Sequence, residues 1–363
     1  MKIKTVILDE DKRYLKRLID YFSLDYGDRI ELSVFSEQEK AQAFLVDYDV
    51  NVFLISDKFE LDVDNLPETI AVGFLVEDPS ISSIREIPAL CKYQKVEDIY
   101  QWIVQRYSES VEEDISISVN QNTGCKQIAF VSCGNAAGAT SLSIAFSAFL
   151  VSKGNSVCYL NLEKFNSQDT YFKSDKNGGF SDLLYTVKSN KGNLVLKTES
   201  LLRTDISQIK YIDAPSHPMD LMECSAENIA VLLKTIRDVS KCKYLILDVD
   251  LTDKPYFLGI LKEANSIILP NDGSASGNAK LKGFIQFINV LEEQVNYPLH
   301  TKMWMIYNRF STKNCKTVEL GIKETGGQPP ISHEDFTTVI HMLSKEKIMD
   351  SIFRECVEEY EKG

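Results

Sequence analysis

Cysteine and histidine are scarce in this sequence and poorly placed for a metal centre. Its 363 residues include eight cysteines and four histidines. No CxxC pair occurs and no cysteine stands close to a histidine, which excludes the spacing of structural zinc sites. Because the chain is also much longer than the small secreted domains that depend on disulfides, we expect reduced and mostly buried thiols.

A long hydrophobic run is also absent. The longest apolar stretch, at 142–151, is interrupted by serines and is too short to cross a membrane, and the acidic run at 9–11 precedes any signal-peptide core. The composition, 44% hydrophobic and 26% charged, is that of an ordinary globular protein. These features predict a cytoplasmic protein of roughly two or three domains with no direct membrane insertion.

Positive charge is under-represented. The chain carries 40 lysines and arginines against 53 aspartates and glutamates, a formal net charge of −13. Residues 1–110 contain 13 basic and 22 acidic side chains, whereas residues 115–363 contain 27 and 28. A strongly basic domain of the kind that binds nucleic acid is therefore excluded, although a local basic patch is not. We do not expect DNA to be a partner.

A polar, acid-rich segment divides the sequence into two parts. Residues 108–125 read SESVEEDISISVNQNTGC and separate two blocks in which short apolar runs alternate with helical patterns. Such alternation predicts an α/β fold with a parallel sheet in each block. We expect a first domain at residues 1–108, a linker at 109–125 and a second, doubly wound domain at 126–363. The predicted strands are Thr5–Leu8, Val52–Ile55 and Ile70–Val76 in the first block, and Ile128–Val131, Val157–Leu162, Ile209–Ile212, Tyr244–Leu247, Ile267–Leu269 and Met303–Tyr307 in the second.

The segment FVSCGNAAGATS at 130–141 lies between a predicted strand and a helix predicted from about residue 140 to 151. Small residues let backbone N–H groups approach phosphate oxygens, and the N-terminus of the helix adds unpaired N–H groups. Thr140 stands where the hydroxyl of a P-loop binds Mg²⁺. Taken alone, the pattern also fits a purely structural turn. The candidate phosphate-binding residues are Gly134, Asn135, Ala136, Ala137, Gly138, Ala139, Thr140 and Ser141.

Polar side chains end three further strands of the second block. Asp248 follows an apolar strand and could hold Mg²⁺ opposite Thr140, while Glu163 ends another strand and would face the γ-phosphate side. Asn308 and Arg309 end a third strand, where they could contact a base. We therefore regard Glu163 and Asp248 as candidate catalytic residues, and Thr140 and Asp248 as candidate metal ligands.

Four segments follow one another along the sequence: the loop at 130–141 and the strand ends at 163, 248 and 308–309. Together they resemble the ParA/MinD superfamily of deviant P-loop ATPases over residues 126–345. The GATS ending of the loop, residues 178–184 and residues 212–216 are similar to the TadZ/CpaE branch. The resemblance implies an N-terminal receiver-like (flavodoxin-like) domain followed by a doubly wound P-loop NTPase domain with a mostly parallel sheet. It also implies binding of ATP and Mg²⁺, a nucleotide-stabilised homodimer, and a role in positioning the Flp/Tad (type IVb) pilus secretion and assembly proteins, concentrated at a cell pole.

The sequence departs from this family at its charged loop positions. Gly134 stands where most ParA proteins have their signature lysine, and Ala139 replaces the P-loop lysine. Without those ammonium groups, ATP binding is more credible than efficient hydrolysis. Lys164 could reach a phosphate, but a solvated surface lysine is the plainer interpretation. Two alternatives stay open: an active ParA-like partitioning ATPase that acts on DNA, and a pseudo-ATPase scaffold without nucleotide.

The first block resembles a response-regulator receiver. Asp9 and Glu10 follow its first strand, and Lys92 lies near the end of the block. A receiver uses an acidic pair to hold Mg²⁺ and a lysine to pair with the phosphoryl group, and these residues match both. Ser56, however, occupies the phosphate-acceptor position, and Asp57 is one residue late, so that it points the other way. The sequence predicts an atypical receiver used for protein contact.

The C-terminal region is predicted to be helical. Residues 332–335 offer a capping box to a helix with apolar residues from 339 onward. Residues 345–363 hold four basic and six acidic side chains, which does not favour attraction to anionic lipid. We expect this helix to pack on its own sheet.

Overall fold

The computed structural model describes residues 2–60, 66–67, 69–110, 124–134, 137–173, 178–189 and 192–358. Most of the expected linker and the loop residues Asn135 and Ala136 lie outside the described residues. The chain divides into two compact units: Met1–Ile117 together with Ser189–Leu201, and Ser118–Lys188 together with Leu202–Gly363.

The first unit contains a sheet with the strand order β2-β1-β3-β4-β6-β5, in which only the pairing of β5 with β6 is antiparallel among the described strands. Its strands are β1 (Ile3–Leu8), β2 (Ile30–Phe35), β3 (Val52–Ser56), β4 (Ala71–Val76), β5 (Ser83–Ile84) and β6 (Ile87–Cys91), and its first three helices are α1 (Lys12–Asp25), α2 (Gln38–Asp47) and α3 (Val96–Ser110).

Helix α1 shows how the local sequence sets these elements. The carboxylate of Asp11 accepts hydrogen bonds from the backbone N–H groups of Arg13 and Tyr14, which caps the helix N-terminus. Leu15, Leu18 and Phe22 then recur at helical spacing and are buried. The helix therefore covers one face of the parallel sheet.

The second unit contains a sheet with the order β14-β13-β12-β7-β11-β8-β10-β9, in which β9 alone pairs antiparallel among the described strands. Its strands are β7 (Lys126–Ser132), β8 (Val157–Leu162), β9 (Arg203–Thr204), β10 (Lys210–Tyr211), β11 (Tyr244–Asp250), β12 (Ser266–Asn271), β13 (Met303–Asn308) and β14 (Lys323–Gln328). The helices that follow α3 along the chain are α4 (Ala139–Ser152), α5 (Phe180–Ser189), α6 (Leu194–Leu201), α7 (Pro218–Met222), α8 (Ala226–Ser240), α9 (Pro255–Glu263), α10 (Ala275–Val295), α11 (Phe336–Leu343) and α12 (Lys347–Ser351).

Helix α4 is central to the second unit. It is apolar on most sides, with Leu142, Ile144, Phe146 and Leu150 fully buried, because it lies between the central strands and α11. The C-terminal residues, such as Ile352, belong to the same core cluster. The expected single C-terminal helix is divided: α11 packs on α4, whereas α12 lies against the edge strand β14 of its own sheet.

The predicted α/β class with mostly parallel sheets is confirmed, but two details differ from expectation. The expected second domain includes the segment that contains α6, but this segment belongs to the first unit. It packs on α3 there, because Leu196 joins the apolar cluster that includes Ile99 and Ile103. The capping box expected at 332–335 does not form as predicted: Asp335 is itself the N-cap of α11 and accepts from the Thr338 N–H at 2.7 Å.

Candidate functional site

Two glycines of the loop between β7 and α4 have a left-handed backbone conformation. Gly134 and Gly138 have φ angles of +72° and +82°, in the left-handed region that favours glycine. Gly138 is followed directly by α4, and Ala137, Ala139 and Ser141 are buried beneath the turn. A side chain at residue 138 would place its Cβ 2.7 Å from Asn308 Nδ2. Only glycine fits this position without displacing its neighbour.

The end of β13 holds this loop in place. Asn308, only 4% exposed, donates a hydrogen bond from Nδ2 to the Ala137 carbonyl oxygen at 2.7 Å. Arg309 has a φ of +60°, and its guanidinium lies beside Gly138. The structure thus brings both predicted base-contacting residues to the loop, and the amide nitrogen of Asn308 serves as a brace for it.

A connected polar cluster lies at the carboxyl ends of β8 and β11. Tyr159, Asn161 and Glu163 alternate along the chain, so that their side chains share one face of the sheet. Glu163 accepts from Thr140 Oγ1 at 3.1 Å and from Asn161 Nδ2 at 3.0 Å. The Tyr159 hydroxyl donates to Asp248 Oδ2 at 2.9 Å. The candidate metal ligands and catalytic residues therefore come together beside the loop.

The pKa values of three neighbouring carboxyl groups, those of Asp248, Glu163 and Asp250, are raised at this end of the sheet. Burial, followed by the charge of Glu163, raises the pKa of Asp248. Burial also raises the pKa of Glu163, to which the charge of Asp250 adds, and burial raises the pKa of Asp250. A cation at this place would relieve the repulsion between them.

One oxygen of Asp248 lacks a hydrogen bond. Among the described residues, Asp248 Oδ1 is buried without a partner. The hydroxyl of Thr140 is close enough to lower the pKa of Asp248, but it has a single proton, which it donates to Glu163. A buried carboxylate oxygen left unpaired at a strand end fits a ligand that is not protein.

Two residues of the site were not identified from the sequence. Tyr159 stands two positions before Asn161 on a predicted strand, so strand alternation could have revealed it. Lys280, in α10, donates a hydrogen bond from Nζ to the carbonyl oxygen of Gly134. A separation of 146 residues leaves no local sequence signal for that contact.

A cavity of about 610 Å³ opens beside the start of the loop, lined in part by Gly134, Lys164, Phe165 and Asp250. The Lys164 ammonium lies 5.2 Å from the centre of the exposed Phe165 ring, while its backbone N–H donates to Asp250 Oδ2 at 3.0 Å. Lys164 is thus engaged at the cavity wall, as a surface lysine with an aromatic neighbour.

In the first unit, an ion network gathers the receiver-like residues. The nearly buried Lys92 ammonium lies 3.5 Å from Asp9 Oδ2 and 3.1 Å from Glu77 Oε1. Lys58 bridges Glu10 at 2.6 Å and Glu77 at 3.0 Å. Residues from the ends of the parallel strands thus meet at one edge of the sheet, with the lysines facing the carboxylates.

The serine that the sequence predicts at the acceptor position lies at the end of β3. Ser56 is the last residue of β3 and is 1% exposed, while Asp57 lies beyond the strand end and is exposed. Residues 1–108 match the family model of TadZ-like receiver domains. The first 108 residues thus form a receiver-like domain that is similar to this family.

Solved structures are similar to about two thirds of this chain. A ParA family ATPase from Chlorobium tepidum TLS matches with a TM-score of 0.51 at 14% identity, over 65% of this chain and 99% of that one. MinD of Pyrococcus horikoshii OT3, complexed with Mg-ADP, matches with 0.49 at 13% identity, over 66% and 96%. A putative plasmid partition protein from Borrelia burgdorferi B31, bound to AMPPNP, matches with 0.48 at 18% identity, over 66% and 99%. Curated protein sequences contain no match.

At 14% identity, the likeness to the Chlorobium protein concerns the fold alone, which is that of a ParA-family ATPase. The resemblance drawn from the sequence is thereby confirmed for the receiver domain and for the fold that follows it. Within the described residues, no helix is long and apolar enough to cross a membrane.

Proposed function

We propose that this chain is an ATP-binding protein of the ParA/MinD type that resembles TadZ and positions Flp/Tad pilus assembly proteins. The observation that carries the proposal is the left-handed Gly138, which stands two residues before Thr140 of the polar cluster. Asn308 braces the loop at the neighbouring Ala137. The TadZ-like receiver domain supports the pilus role.

The residues of the loop fit a nucleotide. Backbone N–H groups from the loop and from the first turn of α4 would bind the phosphates. Asn308 and Arg309 would contact the base and its surroundings.

The polar cluster fits Mg²⁺. Thr140 Oγ1 and the unpaired Asp248 Oδ1 would be its protein ligands, and the remaining positions would be filled by phosphate oxygens and water, as is usual for this ion. Among the described residues no group of three or more His, Cys, Asp or Glu side chains could hold a metal by itself. In this site Mg²⁺ would neutralise part of the phosphate charge. Tyr159 and Asn161 orient the Asp248 and Glu163 carboxylates through hydrogen bonds.

Hydrolysis is expected to be slow. Glu163, with its pKa raised by burial, could accept a proton from water. The loop, however, presents no ammonium group at residues 134 and 139 to stabilise the transferring phosphoryl group. We propose that ATP acts chiefly by stabilising a homodimer, and that turnover lies well below a typical enzyme value of about 10 per second. Turnover near that value would contradict this part of the proposal.

Two other functions compete with this one. A partitioning ATPase that acts on DNA is disfavoured because residues 115–363 are nearly neutral. A nucleotide-free scaffold would leave Asp248 Oδ1 buried and unpaired without a compensating ligand.

Calorimetric titration of the full chain with ATP, with and without Mg²⁺, tests the proposal. We expect Gly138→Val to abolish binding, because the new side chain meets Asn308 Nδ2 and displaces the residue that braces the loop. Gly154→Val is the matched control: Gly154 has a similar φ of +80°, but a Cβ there meets no described atom within 4 Å. Unchanged ATP affinity in a folded Gly138→Val protein would refute the site.

A further inference from the structure

The proposed phosphate site has a deficit of positive charge. ATP carries about four negative charges at neutral pH, and phosphate sites normally offset such charge with lysine or arginine. Residues 134 and 139 of the loop are glycine and alanine. Backbone N–H groups supply only partial charges. The Arg309 guanidinium lies beside Gly138, and the proposed Mg²⁺ would offset part of the phosphate charge. If this loop binds nucleotide as proposed above, a further cation near Gly134 would offset the charge that remains.

Helix α10 brings an ammonium group to the loop. Ser274 caps the helix by accepting from the Gly277 N–H at 2.9 Å, and Leu281, Phe284 and Ile288 anchor it in the core. Lys280 immediately precedes Leu281 and is exposed. Its ammonium group reaches the loop and donates a hydrogen bond to the Gly134 carbonyl oxygen. Because α10 is anchored in the core, the position of the Lys280 Cα relative to the loop is fixed.

The surroundings of Gly134 leave room for a phosphate. A Cβ built on Gly134 meets no described atom within 4 Å. The four-carbon stem of Lys280 can rotate, so its ammonium can turn from a neutral carbonyl oxygen to a charged phosphate oxygen nearby. Because hydrogen bonds between two charged groups are stronger than those to a neutral acceptor, the exchange is favourable.

We infer that Lys280 supplies from α10 the positive charge that the loop itself lacks, by binding the phosphates of the nucleotide. This inference rests on the proposed function and assigns to one residue the role of the two absent lysines. It predicts that removing the Lys280 charge weakens the binding of ATP, which has three phosphates, more than the binding of AMP, which has one.

The test is calorimetric titration of the full chain with ATP, ADP and AMP. A hydrogen bond to a charged group corresponds to a change of about 10- to 100-fold in affinity. We expect Lys280→Met to weaken ATP binding by about that factor and AMP binding by less than about threefold, and Lys280→Glu to weaken ATP binding further. Lys280→Arg should retain most of the affinity, because it keeps the charge.

Lys282→Met is the matched control, since it removes an exposed lysine two residues away on the same helix. It should leave ATP affinity unchanged. If Lys280→Met and Lys282→Met both bind ATP as the native chain does, the inference is wrong while the proposed function stands. If the native chain binds none of the three nucleotides, the proposed function itself fails. Because Lys280 is exposed, thermal unfolding of the variants should match that of the native chain.

Discussion

At the scale of single residues, Asp248 combines complete burial with a charged neighbour. Burial and the charge of Glu163 raise its pKa, so the folded chain holds a proton there more tightly than the unfolded chain does. Stability therefore falls as the pH rises above the unfolded value of 3.8 and through the folded pKa. We expect Asp248→Asn to be more stable than the native chain by about 1–3 kcal/mol at pH 7.5, with a difference that shrinks towards pH 4.

Urea unfolding without nucleotide, repeated from pH 4 to pH 8, measures this difference. Asp253→Asn, which alters an exposed carboxylate after β11, should have no comparable effect. Equal stability of the native chain and Asp248→Asn at pH 7.5 would show that the carboxylate is adequately solvated. The same substitution should remove the dependence of ATP affinity on Mg²⁺, because it removes the proposed carboxylate ligand.

Asn308 is expected to select the base. Its amide can both donate and accept, which suits the edge of adenine better than that of guanine. One N–H is already directed to the Ala137 carbonyl, so the carbonyl oxygen of the amide is the group that we expect to accept from the exocyclic amine of adenine. An unpaired buried polar group costs about 1–3 kcal/mol, so the preference for ATP over GTP should be roughly 5- to 150-fold.

Competition titrations with ATP and GTP test this selectivity on native and Asn308→Ala chains. The variant should lose affinity for both nucleotides, since the loop loses its brace, and the ratio of the two affinities should fall towards one. Equal affinities in the native chain would remove Asn308 from the base-binding residues.

At the scale of elements, the end of β3 decides the chemistry of the receiver domain. The strand ends on the buried Ser56, and the neighbouring carboxylates of Asp9 and Glu77 are paired with Lys92. We expect no Mg²⁺-dependent phosphoryl adduct when the full chain is incubated with acetyl phosphate, as measured by intact mass. An adduct that maps to Asp57 would show that the register of this strand end was assigned wrongly.

Strands with a strong apolar pattern could be predicted from the sequence. Elements that form through tertiary contacts with other parts of the chain could not. The central strands β7, β8 and β11 are runs of buried residues, and the candidate residues at their ends converge because parallel strands end at one edge. Strand β14 reads KETGGQ, with no apolar side chain, and forms only because β13 offers it a pairing edge. Lys280 reaches the loop through the tertiary placement of α10, which no local pattern encodes.

At the scale of the whole molecule, the proposed function predicts association that depends on nucleotide. The chain has a mass of 41.1 kDa, and light scattering after gel filtration should show a shift towards twice that mass when ATP and Mg²⁺ are present. A ligand that binds the dimer better than the monomer must shift the equilibrium in this way. Gly138→Val should keep the monomer mass under the same conditions, and a native chain whose mass is indifferent to ATP would contradict the proposed role of the nucleotide.

The placement of α6 has a consequence for the order in which the molecule folds. Glu199, near the end of that helix, accepts from the Tyr100 hydroxyl at 2.9 Å and pairs with Arg29 at 3.0 Å, while Leu196 packs on the apolar face of α3. During synthesis the receiver domain therefore completes its packing only after residue 201 has left the ribosome, when much of the second sheet is still unmade. A fragment cut at residue 108 would expose Tyr100 and its apolar neighbours, so a fragment intended to fold alone needs α6 restored to it.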